Sequence, residues 1–432
     1  YFTLLPMILC MIVGGAVGFY AAFMLLEGED PNYRRIDGAW LNDLPYQTLH
    51  RVASSGERKG MTDFIVQWAL KRCPNLRGDT HADNLPMQRA FERNGFRRCG
   101  IVWMQDGTER IAYQRPPKTK GKLIVIAGTN ASGKSALGVE VAKRFGGEIV
   151  SADSRQVYRG MNLGSGKITP EEMQGVPHHM IDIADPTENY SVSRYAAEAT
   201  ACVDDILARG KLPIVVGGTG LYIDSLIAGR TFADGTADTA LRQELNERYD
   251  EIGGEGLLGE LRKFDPERAA KLHPADKKRI VRAMEVYILT GKTITQHDAE
   301  TRAVPPRYDA AKIALTFADR QDLYARIDRR VDAMMQQGLL DEVRALLAAG
   351  IPADCTAMQA IGYKEAVAAV RGEATAQEAA DAIRLASRQY AKRQLTWLRR
   401  DAQLFWLRHE KTPDMDLACR RSTQFLAGRG IE

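Results

Sequence analysis

The stretch Gly128-Thr129-Asn130-Ala131-Ser132-Gly133-Lys134-Ser135, GTNASGKS, follows directly on the apolar run KLIVIA of residues 122–127. It has the phosphate-loop form G-x-x-x-x-G-K-[ST]. Between a strand and a helix this spacing makes a cradle. Its glycines let backbone N–H groups approach phosphate oxygens, Lys134 brings a positive charge, and the Ser135 hydroxyl suits Mg²⁺. A nucleoside triphosphate is the common occupant, and its usual companion is an apolar strand ending in an Asp that holds the metal. The corresponding strand here, LPIVVGGTG (212–220), ends instead in Gly217-Gly218-Thr219, which offers close backbone approach and one hydroxyl. The carboxylate follows a different strand, in SADSRQVYRGM (151–161). That residue, Asp153, is expected at the carboxyl edge of the sheet, where open α/β folds keep their sites.

The neighbouring sequence alternates between strand and helix patterns, the mark of a parallel sheet. GKSALGVEVAKRF and RYAAEATACVDDILARG read as helices; GEIVSAD and KIALTFA read as strands. Residues from about 230 to 273 are charged and helical without a strong strand, and read as an insertion. The C-terminal third is mostly helical. Upstream, RPPKTKG (115–121) combines two prolines and two lysines and reads as a linker. The expected organisation is therefore a first domain over 1–115, a linker over 116–121 and a second domain over 122–432.

A chain of 432 residues is long enough for two or three domains with sizeable cores. Its net charge of +4 is slight and neither demands nor excludes a nucleic-acid partner. The six cysteines lie far apart without Cys-x-x-Cys or Cys/His metal spacing, so a reducing cytoplasm is the expected compartment. Residues 1–26 carry no charge. That length suits a membrane span, but two strand-length runs, PMILCMIV and AVGFYAAFML, flank Gly14-Gly15 and suit a buried hairpin. A signal peptide fits poorly, with no basic segment in front. The hairpin is preferred because strands follow that it can join, and no membrane association is expected.

In the first region, QTLHRVAS reads as a strand and MTDFIVQWALKR as a helix, with ERKGMT (57–62) between them. Further on comes DTHADNLPMQRAFERNGF (79–96). Together these resemble the GNAT acetyltransferases, in part of their α+β fold. The resemblance implies acetyl-CoA as ligand, with Arg58, Lys59 and Gly60 lining a pyrophosphate loop and Asn84 at the pantetheine arm. A helix N-terminus supplies the N–H groups and positive dipole end for such an anion. The pattern departs in places: Glu57 and Thr62 stand at the loop ends, and Phe91 stands where the family often places a Tyr general acid. These departures leave a degenerate domain without turnover as an open alternative.

In the second region six motifs occur in order: GTNASGKS, SADSRQVYRGMNLGSGK, PHHMIDIADPTENYS, LPIVVGGTGLYIDSL, HPADKKRIVRAMEVYILTGK and KRQLTWLRR. They resemble the tRNA dimethylallyltransferases over Lys122 to about Arg408. Thr129 and Asn130 depart from that family, which commonly has Pro and Thr there. The resemblance implies a phosphate-loop NTPase-like parallel sheet with a helical insertion. It also implies transfer of a dimethylallyl group from its diphosphate to N6 of the adenosine beside the tRNA anticodon, at position 37. Gly128 to Ser135 would hold the diphosphate with Mg²⁺ on Ser135; Lys134, Asp153 and Thr219 would serve the reacting groups, Asp153 as general base. Contacts to tRNA would come from Asp153, Ser154, Arg155, Gln156, Thr219 and Arg242. Further contacts would come from Lys278, Arg279, Ile280, Val281 and Arg282, and from Gln359, Ala360, Ile361, Gly362, Tyr363 and Lys364. The last set is Lys392, Arg393, Gln394, Leu395, Thr396, Trp397, Leu398 and Arg399.

The C-terminal helix also reads as amphipathic. Arg384, Arg388, Lys392 and Arg399 form a basic stripe suited to phosphates, and Ile383, Ala386, Tyr390 and Trp397 a face suited to packing. His178-His179 reads as structural, because adjacent side chains point different ways. A monomer is expected. Two other readings share the loop: a small-molecule kinase or NTPase, and an adenylate isopentenyltransferase acting on a free nucleotide. The long basic helix argues for tRNA over the nucleotide.

Overall fold

The computed structural model describes all residues except 1–12, 16–17, 55–58, 117–119, 230–238, 304 and 432. The chain divides into two compact units, Tyr1–Thr119 and Lys120–Glu432.

In unit 1 the described strands are β1 (Val13–Gly15), β2 (Gly18–Glu27), β3 (Ile36–Gly38), β4 (Gln47–Ser54), β5 (Leu76–Thr80), β6 (Arg97–Trp103) and β7 (Glu109–Arg115). They form one sheet in the order β1-β2-β4-β5-β7-β6-β3. Helices α1 (Met61–Leu70) and α2 (Leu85–Arg93) flank β5 in the chain. The strand β1 pairs antiparallel with β2, so a hairpin is present from Val13 onward; the first of its two apolar runs lies largely outside the described residues. The pair β4–β5 is parallel and holds register only from Gln47 to Leu49 against Leu76 to Gly78. Ile65, Val66 and Ala69 of α1 and Phe91 of α2 pack with Phe23, Leu49 and Tyr113 of the sheet into one core.

Unit 2 opens with β8 (Lys122–Gly128), α3 (Lys134–Phe145), β9 (Glu148–Ser151), α4 (Pro170–Met173), β10 (His178–His179), α5 (Val192–Ala208), β11 (Pro213–Gly217) and α6 (Gly220–Ala228). A helical segment follows: α7 (Thr239–Arg262), α8 (Pro266–Ala269), α9 (Lys277–Thr290) and α10 (Ile294–Ala303). The chain then runs through β12 (Asp309–Phe317), α11 (Arg320–Gln336), α12 (Leu339–Ala348), α13 (Tyr363–Val370), α14 (Ala376–Leu398), β13 (Phe405–His409) and α15 (Met415–Ala427). The sheet order is β10-β9-β11-β8-β12-β13, and every described pairing in it is parallel.

Alternation along β8 explains the layering. Leu123, Val125 and Ala127 face a core shared with α5, α6 and the C-terminal helices. Ile124 and Ile126 face a second core built with α3 and α15. A strand buried on both faces reads as a continuous apolar run, as KLIVIA does.

One expectation needs correction. The helical insertion does not end near 273: Ile280, Val281, Ala283 and Met284 of α9 complete a core with Leu245, Leu257, Leu258 and Leu261 of α7, so the segment runs to Ala303. Its first residues, 230–238, lie outside the described residues. The C-terminal third is mostly helical, as expected; its strand β13 pairs parallel with β12 and extends the sheet. Among the described residues no helix is long and apolar enough to cross a membrane. Cys73, Cys99, Cys202, Cys355 and Cys419 are all free.

Candidate active site

The glycine-rich loop sits where β8 ends, between β11 and β12, at the carboxyl ends of the strands. Ala131 (φ 60°) and Gly133 (φ 89°) take left-handed backbone, and Gly133 caps α3 without a side-chain bond, so the first amides of the helix face outward. The loop is held from several elements. Thr129 N donates to the Leu315 carbonyl of β12 at 3.3 Å, and Arg326 Nε of α11 donates to the Ala131 carbonyl at 2.9 Å. His409 Nε2 of β13 donates to the Ser132 carbonyl at 3.2 Å. Lys134 Nζ donates to the Thr129 carbonyl at 2.8 Å, as does Ser132 Oγ at 2.8 Å.

Two cavities open on this loop. The first, about 400 Å³, is lined among others by Asn130, Lys134, Ser135, Asp153, Arg330 and Tyr390. The second, about 1150 Å³, is lined by Gly133, Lys134, Ser135, Arg326, Arg330 and Met415 among others. Lys134, Ser135, Ile168, Arg330 and Met334 border both, so the spaces meet at the loop's cations. Burial lowers the Lys134 ammonium to about 8; neighbouring Arg330 adds to the fall, and Asp153 opposes it. Arg330 is also lowered by burial, and its Nη2 donates to the Gly166 carbonyl at 3.2 Å. Lys134 and Arg330 are half-buried; with Arg326 they outnumber Asp153 and Glu172, the carboxylates that act on them, and this surplus of positive charge suits an anionic group.

Asp153 follows β9 and lines the first cavity, its Oδ1 accepting from Arg155 N at 2.9 Å. Thr219 Oγ1 accepts from Ser154 N at 3.1 Å, so this hydroxyl joins the Asp153 turn to the end of β11, and Tyr390 of α14 lies beside it. Ser154, Arg155 and Gln156 line the same cavity, together with Gln359, Ile361, Lys364 and Arg393.

Other expected contact residues are placed elsewhere. Ile280 and Val281 are core residues of the helical insertion, and Ala360 and Leu398 belong to the main core. Tyr363 is fully buried with its hydroxyl on Glu342 at 2.6 Å, and Gly362 caps α13. Leu395 packs against Phe317 and Ala391, and Trp397 Nε1 donates to Asp224 at 2.9 Å. Gln394 is 4 % exposed and bonds the glycine-rich loop. Side chains turned inward cannot touch a large ligand, so the motif mixes surface residues with residues that fix the helix. Lys278, Arg279, Lys392, Arg393, Thr396 and Arg399 are exposed. Arg242 and Arg282 both bond the buried Glu285; burial pushes that carboxyl up, and the two guanidiniums more than offset it.

The basic stripe divides as well. Arg384 pairs with Asp332 and Asp381, and Arg388 with Asp328, so these two fasten α14 to α11. Tyr390, expected on the packing face, reaches the cavity. The two histidines do diverge: His178 Nδ1 donates to the Val176 carbonyl at 2.8 Å and its ring lines the first cavity, while His179 bonds Glu148 at 2.8 Å. Sequence reading missed Arg326, Arg330 and His409. The two arginines are four apart on α11, a spacing that was visible but that an ordinary solvated helix face shares.

Fold and site define an α/β enzyme in which a glycine-rich, cation-lined loop and a single carboxylate serve one cavity at a parallel sheet's carboxyl edge. Family models described as IPP transferase and as isopentenyl transferase match residues 156–401 and 121–188. A tRNA dimethylallyltransferase of Thermoanaerobacter sp. (strain X514) is 44 % identical over 309 residues, 71 % of this chain and 98 % of that protein. That of Symbiobacterium thermophilum is 50 % identical over 286 residues, 66 % of this chain and 88 % of that one. The crystal structure of a full-length tRNA isopentenylpyrophosphate transferase from Bacillus halodurans is similar with a TM-score of 0.54 at 43 % identity, covering 72 % of this chain and 96 % of that one. A eukaryotic dimethylallyltransferase acting on tRNA matches with a TM-score of 0.61 at 30 % identity, over 71 % and 78 %. The chain belongs to the IPP transferase family of tRNA dimethylallyltransferases.

Proposed function

We propose that this chain transfers a dimethylallyl group from dimethylallyl diphosphate to N6 of adenosine 37, beside the tRNA anticodon. The observation that carries the reading is one cavity bordered by Lys134, Arg330 and Asp153. A C–N bond forms at the allylic carbon as the C–O bond to diphosphate breaks, and the diphosphate leaves with the electron pair. Lys134, Arg330 and the amides at the head of α3 bind that developing charge. Asp153 takes the proton lost by N6. The adenine must leave its stack to reach the allylic carbon, which suits a cavity walled by Tyr390 and Arg393. Mg²⁺ fits the donor set, since it takes most of its ligands from phosphate and water, and the exposed Ser135 hydroxyl borders both cavities. Bound there, it would neutralise charge on the diphosphate. Gln156, Gln359 and Lys364 at the cavity and Lys278, Lys392 and Arg399 on the surface are proposed tRNA contacts.

The test is to incubate the protein with unmodified tRNA and labelled dimethylallyl diphosphate, then digest the tRNA and identify the labelled nucleoside. N6-dimethylallyladenosine is expected. Robust ATP turnover without label in tRNA would favour a kinase-type reading, and label only in free adenylate would favour a nucleotide prenyltransferase.

For unit 1 we infer a GNAT-like domain that no longer turns over. Beyond Leu49 and Gly78 the strands β4 and β5 part, and a cavity of about 530 Å³ opens beside His50, Asp79 and Asn84. Asn84 Oδ1 caps α2 by accepting from Met87 N at 3.2 Å, while Lys59 and Gly60 are exposed at the head of α1; Arg58 lies outside the described residues. Phe91 is fully buried against Phe96 and Tyr113, which supports a packing role. His50 is disfavoured as a base: burial lowers it, but Asp30 and Asp79 bring it up to about 9. Calorimetry of acetyl-CoA on the whole chain should show weak or no binding. Tight binding with acetyl transfer to an amine would overturn this reading.

A further inference from the structure

Gln394 lies near the C-terminal end of α14 and is buried, yet its side-chain amide bonds nothing on its own helix. Its Oε1 accepts from the backbone N–H of Asn130 in the glycine-rich loop at 2.9 Å. Its Nε2 donates to the Gly218 carbonyl at 3.1 Å and to Asn130 Oδ1 at 3.3 Å. One side chain thus ties a loop 264 residues away and a turn 176 residues away to the same helix. Residues four before and three after it share that helix face. Tyr390 lies beside Thr219, and Trp397 Nε1 donates to Asp224. The glycines opposite make room for this contact: a Cβ at Gly218 would lie 2.2 Å from Gln394 Nε2, and one at Gly220 would lie 2.3 Å from the Trp397 ring. The close approach offered by GGTG is therefore taken up by α14. The exposed side of the same helix carries Lys392, Thr396 and Arg399.

We propose that Gln394 is a positioning residue that couples α14 to the glycine-rich loop, so that tRNA bound along the helix and diphosphate bound in the loop strengthen each other. The physical route is short. A buried amide with three bonds cannot shift without breaking them, so a displacement of α14 moves the Asn130 peptide and, with it, the loop amides that meet phosphate. Asn130 supplies two of the three bonds, one through its side chain. Coupling of this kind is reciprocal: the factor by which tRNA tightens diphosphate equals the factor by which diphosphate tightens tRNA. The inference rests on the tRNA reading above, but its test measures binding and needs no prenyl transfer.

The experiment titrates inorganic pyrophosphate with Mg²⁺ into the whole chain by calorimetry, with and without saturating tRNA. Unmodified tRNA should tighten pyrophosphate about fivefold or more in the wild type. In Gln394→Leu the factor should fall to about one while circular dichroism and Tm report a folded protein. Asn130→Ala keeps the backbone bond to Oε1 and loses only the side-chain bond. It should lower the factor by about two- to fivefold, the value of one hydrogen bond. If Gln394→Leu does not fold, Asn130→Ala decides. A wild-type factor of one, or an unchanged factor in the folded variants, would overturn the coupling. Absence of prenyl transfer alongside intact coupling would count against the proposed reaction and leave this inference standing.

Discussion

Raising the pH from 7 to 9 should weaken diphosphate binding through one side chain. Lys134 titrates near 8 in the free protein, because burial and Arg330 disfavour its charge more than Asp153 favours it. At pH 7 about nine-tenths of the molecules carry the charged ammonium; at pH 9 about one-tenth do. The terminal phosphate of an alkyl diphosphate loses its last proton near pH 6, so dimethylallyl diphosphate keeps its charge across this window. If only the ammonium form binds well, affinity falls about tenfold from pH 7 to pH 9. Binding should also draw the Lys134 pKa back up, because the diphosphate favours the charged form. The complex therefore takes up about half a proton at pH 8 and about 0.9 at pH 9. Calorimetry of dimethylallyl diphosphate without tRNA at pH 7, 8 and 9, in two buffers of different ionisation enthalpy, reads both quantities. Lys134→Gln should bind weakly at every pH and lose the buffer dependence. Equal affinity at pH 7 and pH 9, with no proton uptake at pH 8, would refute the argument.

Asp153→Asn keeps the shape of the base and removes its proton acceptor; single-turnover prenyl transfer should fall about 10²–10⁴-fold while pyrophosphate affinity holds. Lys392→Gln with Arg399→Gln should flatten the fall of log K against log salt for tRNA by about one to two, the share of two phosphate contacts, in filter binding across a salt series. Arg388→Gln should leave that slope alone and lower Tm, because Arg388 is paired to Asp328. Glu148 is buried and bonds Arg209, Lys211 and His179, and the Arg209 bonds lead in holding its carboxyl well below the usual range. Its contribution is complete above the unfolded value near 4.5 and is lost progressively as pH falls towards the depressed folded value, so Glu148→Gln should cost roughly 1–3 kcal/mol at pH 7 and less, though still measurably, at pH 3 in urea unfolding.

The sequence by itself determined the local parts. KLIVIA has an apolar side chain for each face of a doubly covered strand, and GTNASGKS has the glycine and lysine spacing of a strand-to-helix turn, so both are legible without knowing what lies nearby. Asp153 was legible for the same reason, as the residue that follows a strand. Tertiary structure decided which distant side chains complete the site. Arg330 borders both cavities only because α11 returns across the sheet, and His409 reaches Ser132 only because β13 joins β12. It also decided the sense of side chains within one motif. Lys392, Gln394 and Leu398 lie within seven residues, but the turn of a helix sends the first to solvent and the other two into the core. Which face is buried depends on what packs there, here the GGTG turn and the glycine-rich loop, and no spacing within the helix records those partners.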